Sequence, residues 1–159
     1  MSLSAKAIHH SYQDEHFTLT MMHPKFSEPD YHLVMRNQQR LRALFAGQTD
    51  WPKPDMTLAD NIAAMAHHLR EFNENIAYGF CVFDSEETEC IGSVYIDASE
   101  VDGYDCELHY WLDESLIELE SVLEQSMLVW LKEKWGLTNP ALVAREIPLE
   151  QWQRMKKAS

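Results

Sequence analysis

Glu107-Leu108-His109-Tyr110-Trp111-Leu112-Asp113 alternates between two sets of side chains. Successive residues of a strand point to opposite faces, so Glu107, His109, Trp111 and Asp113 share one side. Leu108, Tyr110 and Leu112 share the other. A helix signal follows at once. Ser115 has Glu118 three residues on, the spacing of a reciprocal N-terminal cap. Leu119, Val122, Leu123, Met127, Trp130 and Leu131 then recur at helical spacing, and Gly136 suits the end of a helix. A strand running into a long amphipathic helix is the pair around which the other elements fall.

Upstream, residues 78–83 and 90–97 read as two strands joined by the acidic hairpin loop 84–89, and Gly103 marks the next turn. Before them, Thr57 and Asp60 have capping-box spacing, and Ile62, Met65, Ala66, Leu69 and Phe72 form a helical stripe. His67 and His68 fall beside that stripe and are assigned no functional role. A further helix is expected from Ser27, with Asp30 as its capping partner, to about Phe45, with Gly47 ending it. Trp51-Pro52-Lys53-Pro54 is a stiff linker, because each proline restricts itself and the residue before it. Residues 17–22 read as a strand. Residues 141–147 form the expected last strand, and 148–156 a helical turn or two docked by Trp152. The order is strand, helix, helix, three strands, helix, strand. It implies an α/β fold, a mixed sheet flanked by helices. One domain spans 1–159, with 1–15 as a flexible terminus and 148–159 as a short terminal extension.

The chain has 159 residues and is 45% hydrophobic and 25% charged, which suits a single globular domain. No run reaches the roughly 18 apolar residues of a membrane span, and residues 1–11 lack the apolar core of a secretory signal. A cytoplasmic location is therefore expected, with Cys81, Cys90 and Cys106 as free thiols matching no metal-binding spacing. The formal net charge is -13, and 71–131 holds 16 Asp and Glu without a Lys or Arg. Such a segment repels nucleic acid and attracts cations, so a small-molecule amine or a basic peptide is the partner expected.

Two stretches carry a resemblance to the GCN5-related N-acetyltransferases (GNATs), over about 17–147. Cys90-Ile91-Gly92-Ser93-Val94-Tyr95-Ile96 resembles that family's third strand, and Glu107 to Leu112 resembles the fourth, which leads to the cofactor helix. The resemblance implies an acyl-CoA N-acyltransferase-like fold using acetyl-CoA or another acyl-CoA and no metal. It implies that backbone groups around Tyr110, Trp111 and Leu112 clasp the pantetheine arm. It places the pyrophosphate at the helix start near Ser115, where free amides and the helix dipole attract anions.

Two departures from the family pattern stand out. The family's glycine-rich turn is replaced by Asp113-Glu114-Ser115-Leu116-Ile117-Glu118-Leu119-Glu120, with no Gly, Arg or Lys. A Coulomb cost of ~1–2 kcal/mol from these carboxylates weakens pyrophosphate binding roughly 5- to 30-fold. After Ile147 only 12 residues remain, without a Tyr, so the fold is C-terminally abbreviated. An exposed last strand would favour a homodimer.

For chemistry, Glu107 is the candidate base for an attacking amine, and His109 on the same face the candidate relay. Tyr95 and Trp111 are candidate substrate walls. Glu107, His109 and Asp113 lie too far apart along a strand to share one metal, and His9-His10 is incidental. The expected function is an atypical N-acyltransferase acting from an acyl-CoA on an amine. The alternative is a non-catalytic GNAT-like protein that binds a basic ligand or protein.

Overall fold

The computed structural model of the chain describes residues 3–46 and 49–158, so Gly47, the expected helix end, lies outside the described residues. A six-stranded sheet runs in the order β1-β2-β3-β4-β5-β6. Its strands are β1 Ser11–Gln13, β2 Phe17–Met21, β3 Ala77–Asp84, β4 Cys90–Asp97, β5 Cys106–Leu112 and β6 Pro140–Ala141. The first five pair antiparallel and β6 joins β5 in parallel, giving the mixed sheet read from the sequence.

The alternation in β5 sets the two faces. Leu108, Tyr110 and Leu112 join Val94 and Ile96 in a core covered by α4, Glu120–Trp130, through Leu123, Met127 and Trp130. On the opposite face Trp111 packs with Leu33, Leu41 and Met65 from α1 (Ser27–Arg36), α2 (Gln38–Leu44) and α3 (Leu58–Asn73). The helices of the two faces thus clamp one strand. Burying each large apolar side chain contributes about 1.5–3 kcal/mol.

Local signals are met where the chain is locally determined. Thr57 Oγ1 accepts from the Asp60 N–H at 3.1 Å and Asp60 Oδ2 accepts from the Thr57 N–H at 2.9 Å, closing the box that starts α3. In the hairpin loop, Asp84 Oδ1 accepts the N–H groups of Thr88 and Glu89. Gly136 ends the α4 segment at φ 74°, a conformation open to glycine at little steric cost.

Several expectations change. The helix expected across 27–45 breaks at Asn37 into α1 and α2, and Asp30 is buried against Asn61 rather than capping. The Ser115–Glu118 cap does not form: Asp113 caps a 3-10 segment, Glu114–Leu119, and α4 begins only at Glu120. The last strand shrinks from 141–147 to Pro140–Ala141, because the chain turns at Ala144 with φ 65°. Residues 3–15, expected as a flexible terminus, carry β1, and the Lys6 N–H reaches the Trp135 carbonyl at 2.7 Å. The expected terminal turns are a full helix, α5 Leu149–Ala158, docked by the fully buried Trp152.

Gly92 marks a tight crossing in this frame. A Cβ there would collide with the Trp111 carbonyl oxygen and come within 3.1 Å of the Leu112 Cα. Gly92→Ala must displace β4 from β5, a cost of about 1–3 kcal/mol or more. Urea unfolding is the measurement, with a lower midpoint at unchanged slope as the expected outcome.

Candidate functional site

β5 and β6 pair only at Cys106–Pro140 and Glu107–Ala141. Beyond that point the strands diverge, and β5 presents the backbone groups of Tyr110 and Leu112 to the gap. These are among the groups that the family resemblance implies for a pantetheine arm. The chain's own side chains occupy them. Glu120 Oε2 accepts the Leu112 N–H at 2.9 Å, and Arg145 donates to the Tyr110 carbonyl at 2.7 Å. Arg40 donates to the Leu112 carbonyl.

The three side chains also bind one another. Glu120 Oε1 receives Arg145 at 2.8 Å and Glu120 Oε2 receives Arg40 at 3.0 Å. Arg145 lies 4.3 Å over the Tyr110 ring, whose hydroxyl donates to Glu124 at 2.7 Å. Burial would raise the Glu120 carboxyl, but Arg145, the Leu112 N–H and Arg40 together hold it below the usual carboxylate range.

The helix start is filled in the same manner. Asn37 Oδ1 accepts the Glu114 N–H at 2.9 Å, Asp113 Oδ2 accepts the Ser115 N–H at 3.2 Å, and the Asp113 carbonyl accepts the Leu116 N–H at 2.8 Å. Asp113 Oδ1 in turn receives Asn37 at 2.7 Å and Arg36 at 3.1 Å. Burial opposes the Asp113 charge, yet bonds from Ser115, Asn37 and Arg36 keep its carboxyl well below the ordinary range. The amides at this helix start therefore already have acceptors, and a phosphate would have to displace them.

The opposite end of β5 is open. Asp97 pairs with Glu107 and Tyr95 with His109 across β4 and β5, so all four side chains reach one face. They line a cleft beside α3. One lobe of about 540 Å³ includes Glu71, Asp97, Glu100 and Glu107. A second of about 350 Å³ shares His68, Tyr95 and Asp97 with it and adds Phe45, Trp51 and His109. Both volumes suit a small ligand. No Lys or Arg is among the described lining residues, and the nearby Lys156 is paired with Glu100 at 2.6 Å.

Glu107, 7% exposed, is held at both oxygens: Oε2 by the Glu100 N–H at 3.0 Å, Oε1 by His109 Nε2 at 3.1 Å. Asp97 is pushed up to about 6, first by burial and then by Glu107, Glu71 and Glu100, against the pull of His109. Burial pushes His68 below the ordinary histidine range against the pull of Glu71.

The sequence-derived site thus separates. Glu107, His109 and Tyr95 meet in the cleft. Trp111 is 0% exposed in the core and touches neither lobe. Tyr110, Leu112 and Ser115 belong to the filled end. Asp97 and His68 are additions. Strand register could have found Asp97, once it was known to sit opposite Glu107; the helical pattern placed His68 beside the apolar stripe and gave no sign of a role.

No protein-family model matches the chain, and no curated protein sequence does. Solved structures do match. The structure of a protein described as a "probable acetyltransferase" superposes with TM-score 0.61 at 16% identity, covering 80% of this chain and 69% of its own. RimL, a ribosomal alpha-N-protein acetyltransferase in complex with coenzyme A, gives TM-score 0.60 at 17% identity, covering 76% of this chain and 64% of that one. The microcin self-immunity acetyltransferase MccE, with acetyl-CoA and AMP, gives 0.56 at 15%, covering 76% and 63%. The chain therefore has the acyl-CoA N-acyltransferase (GNAT) fold and spans about two thirds of the chains it matches.

Glu120→Gln leaves Arg40 and Arg145 around a neutral amide, an expected loss of about 2–4 kcal/mol. Because the Glu120 pKa is depressed by folding, its contribution is present above the ordinary Glu range and lost as pH falls through the folded value. The stability gap between wild type and variant, measured by urea unfolding, should be wide at pH 7 and narrow in acid.

Proposed function

We propose that this protein recognises a cationic amine, free or on a basic peptide, in the cleft between α3 and the Asp97–Glu107 end of the sheet. The contrast between the two ends of β5 carries this reading. One end is an acidic, aromatic-walled cavity with no Lys or Arg among its described lining residues. At the other, the Tyr110 and Leu112 groups that could hold an acyl donor are bonded to Arg40, Glu120 and Arg145. Carboxylates in a partly dry cleft attract an ammonium more strongly than they would in water, and the rings of Phe45, Trp51 and Tyr95 offer it π-faces.

A second reading, N-acyl transfer to the bound amine, is favoured by the Glu107–His109 pair and by the fold. In that chemistry the amine nitrogen attacks the thioester carbonyl, the carbon–sulfur bond breaks, and coenzyme A leaves as its thiolate. Glu107 accepts the proton lost by the amine, with His109 Nε2 bonded to the other oxygen to hold the carboxylate in place. A donor following the family's path must first displace the Arg40–Glu120–Arg145 cluster.

Calorimetry separates the two. Titration with spermidine should show saturable binding, and titration with acetyl-CoA none up to millimolar concentration. Saturable acetyl-CoA binding with product formation would transfer the conclusion to the second reading, and Glu107→Gln should then lower turnover while leaving donor binding intact. Absence of binding by any di- or polyamine at low salt would sink the amine reading itself.

Amine affinity should also follow the Asp97 charge. A bound cation favours the ionised form, so binding near pH 6 releases a proton and strengthens as pH rises. Affinity about ten-fold weaker at pH 5 than at pH 7.5 is expected, largely flattened in Asp97→Asn.

A further inference from the structure

A separate cluster lies buried between α1, β3 and β4. Asp30, Cys81 and Cys90 each offer one ligand atom, and these atoms all lie within 4.8 Å of one another. The arrangement follows from register. Cys81 pairs with Ser93 and Cys90 with Phe83, across a shift in register between Val82 and Phe83. Both thiols pack in the core layer covered by α1 and α3. Asp30 enters the same layer from the first turn of α1.

The Asp30 carboxylate is 5% exposed, and its two oxygens differ. Asn61 of α3 donates one Nδ2 hydrogen to Oδ2 at 3.0 Å and also reaches the Ser27 carbonyl at 3.0 Å. Oδ1 has no hydrogen-bond partner. Buried carboxylate oxygens are almost always satisfied, so an oriented but unpartnered one calls for a cause. An amide that fixes one oxygen and leaves the other free is the arrangement outer-shell groups impose on metal-ligating carboxylates.

We propose that Asp30 Oδ1, Cys81 Sγ and Cys90 Sγ form a site for a thiophilic divalent cation, zinc being the best match, with Asn61 as the orienting group. Two sulfurs select zinc over magnesium or calcium, which take oxygen ligands. Three protein ligands leave one position of a tetrahedron for water. Ligation draws the atoms in to about 2.3 Å for sulfur and 2.0–2.2 Å for oxygen, a small contraction of the cluster. Each thiol gives up its proton on binding, and the cation offsets charges that the core would otherwise exclude. The Cys81 thiol is pushed up by its bond with Cys90, then by burial and by Asp30. The site is independent of amine binding.

The test uses the full chain, reduced, unfolded and refolded with cobalt(II) as a visible stand-in for zinc. Expected are one bound cobalt per chain, a sulfur-to-cobalt charge-transfer band with tetrahedral d–d absorption, and displacement of both by zinc. A folded protein without the charge-transfer band overturns the proposal. Cys81→Ser and Cys90→Ser should each weaken binding at least ten-fold, and Asn61→Ala by about 10- to 100-fold. An unchanged cobalt spectrum in either cysteine variant places the metal elsewhere and also overturns it. Should those variants fail to fold, alkylation of the wild type in mild denaturant decides. Zinc should slow labelling of Cys81 and Cys90 and leave Cys106 unaffected; equal rates with and without zinc reject the site.

Discussion

Glu120 is the hinge of the structure's electrostatics. One carboxylate caps the Leu112 N–H and holds Arg40 and Arg145, which themselves satisfy the Leu112 and Tyr110 carbonyls. It thereby ties α4, α2 and the 142–147 turn to the end of β5. The divergence of β5 from β6 leaves strand backbone unpaired in a partly buried gap, and such groups must find partners. A fold with this gap requires either a ligand there or side chains that take its place. Here two guanidiniums and a carboxylate take it, and the surrounding helix start is closed by Asn37 and Asp113 on the same principle.

The acidic middle of the chain becomes intelligible against this arrangement. Its carboxylates divide into two populations. Asp113 and Glu120 meet arginines from outside the acidic segment, Arg36, Arg40 and Arg145, and are held ionised. Asp97 and Glu107 meet each other, with a histidine and one backbone N–H in place of a cationic side chain. Net charge alone could not distinguish them. The first population holds the fold together, and the second leaves a negative field in a cavity, which is where a cation gains most. Closing one end of β5 and opening the other is thus a matter of which basic residues reach which carboxylates.

Much of the fold was legible because its signals are local. The Thr57/Asp60 box, the Gly136 stop, the 84–89 hairpin and the alternation in β5 each depend on residues a few positions apart. Local signals also misled where a distant partner outbid them. Ser115 and Glu118 have capping spacing, yet Asp113 caps instead, because Asn37 and Arg36 hold its carboxylate at the helix start. Asp30 has the same spacing from Ser27, but Asn61 draws it into the core. Trp111 shares a strand face with Glu107 and His109, but α1, α2 and α3 cover its end of that face and leave the Glu107 end open.

The sequence by itself determined the mixed sheet, the order of strands β2 to β5 and of the helices α3 and α4 that flank them, the common face of Glu107 and His109, and the absence of a glycine-rich phosphate turn. Each of these follows from backbone periodicity or from residue type at one position. Only the tertiary structure decided that Arg40 and Arg145 fill the end of β5, that Asp97 and His68 complete the cleft, and that Asp30 joins Cys81 and Cys90. Those pairings span 25 to 80 residues of chain in the filled end alone, from Arg145–Glu120 to Arg40–Glu120. Their partners are chosen by helix docking and strand divergence, which no local pattern encodes.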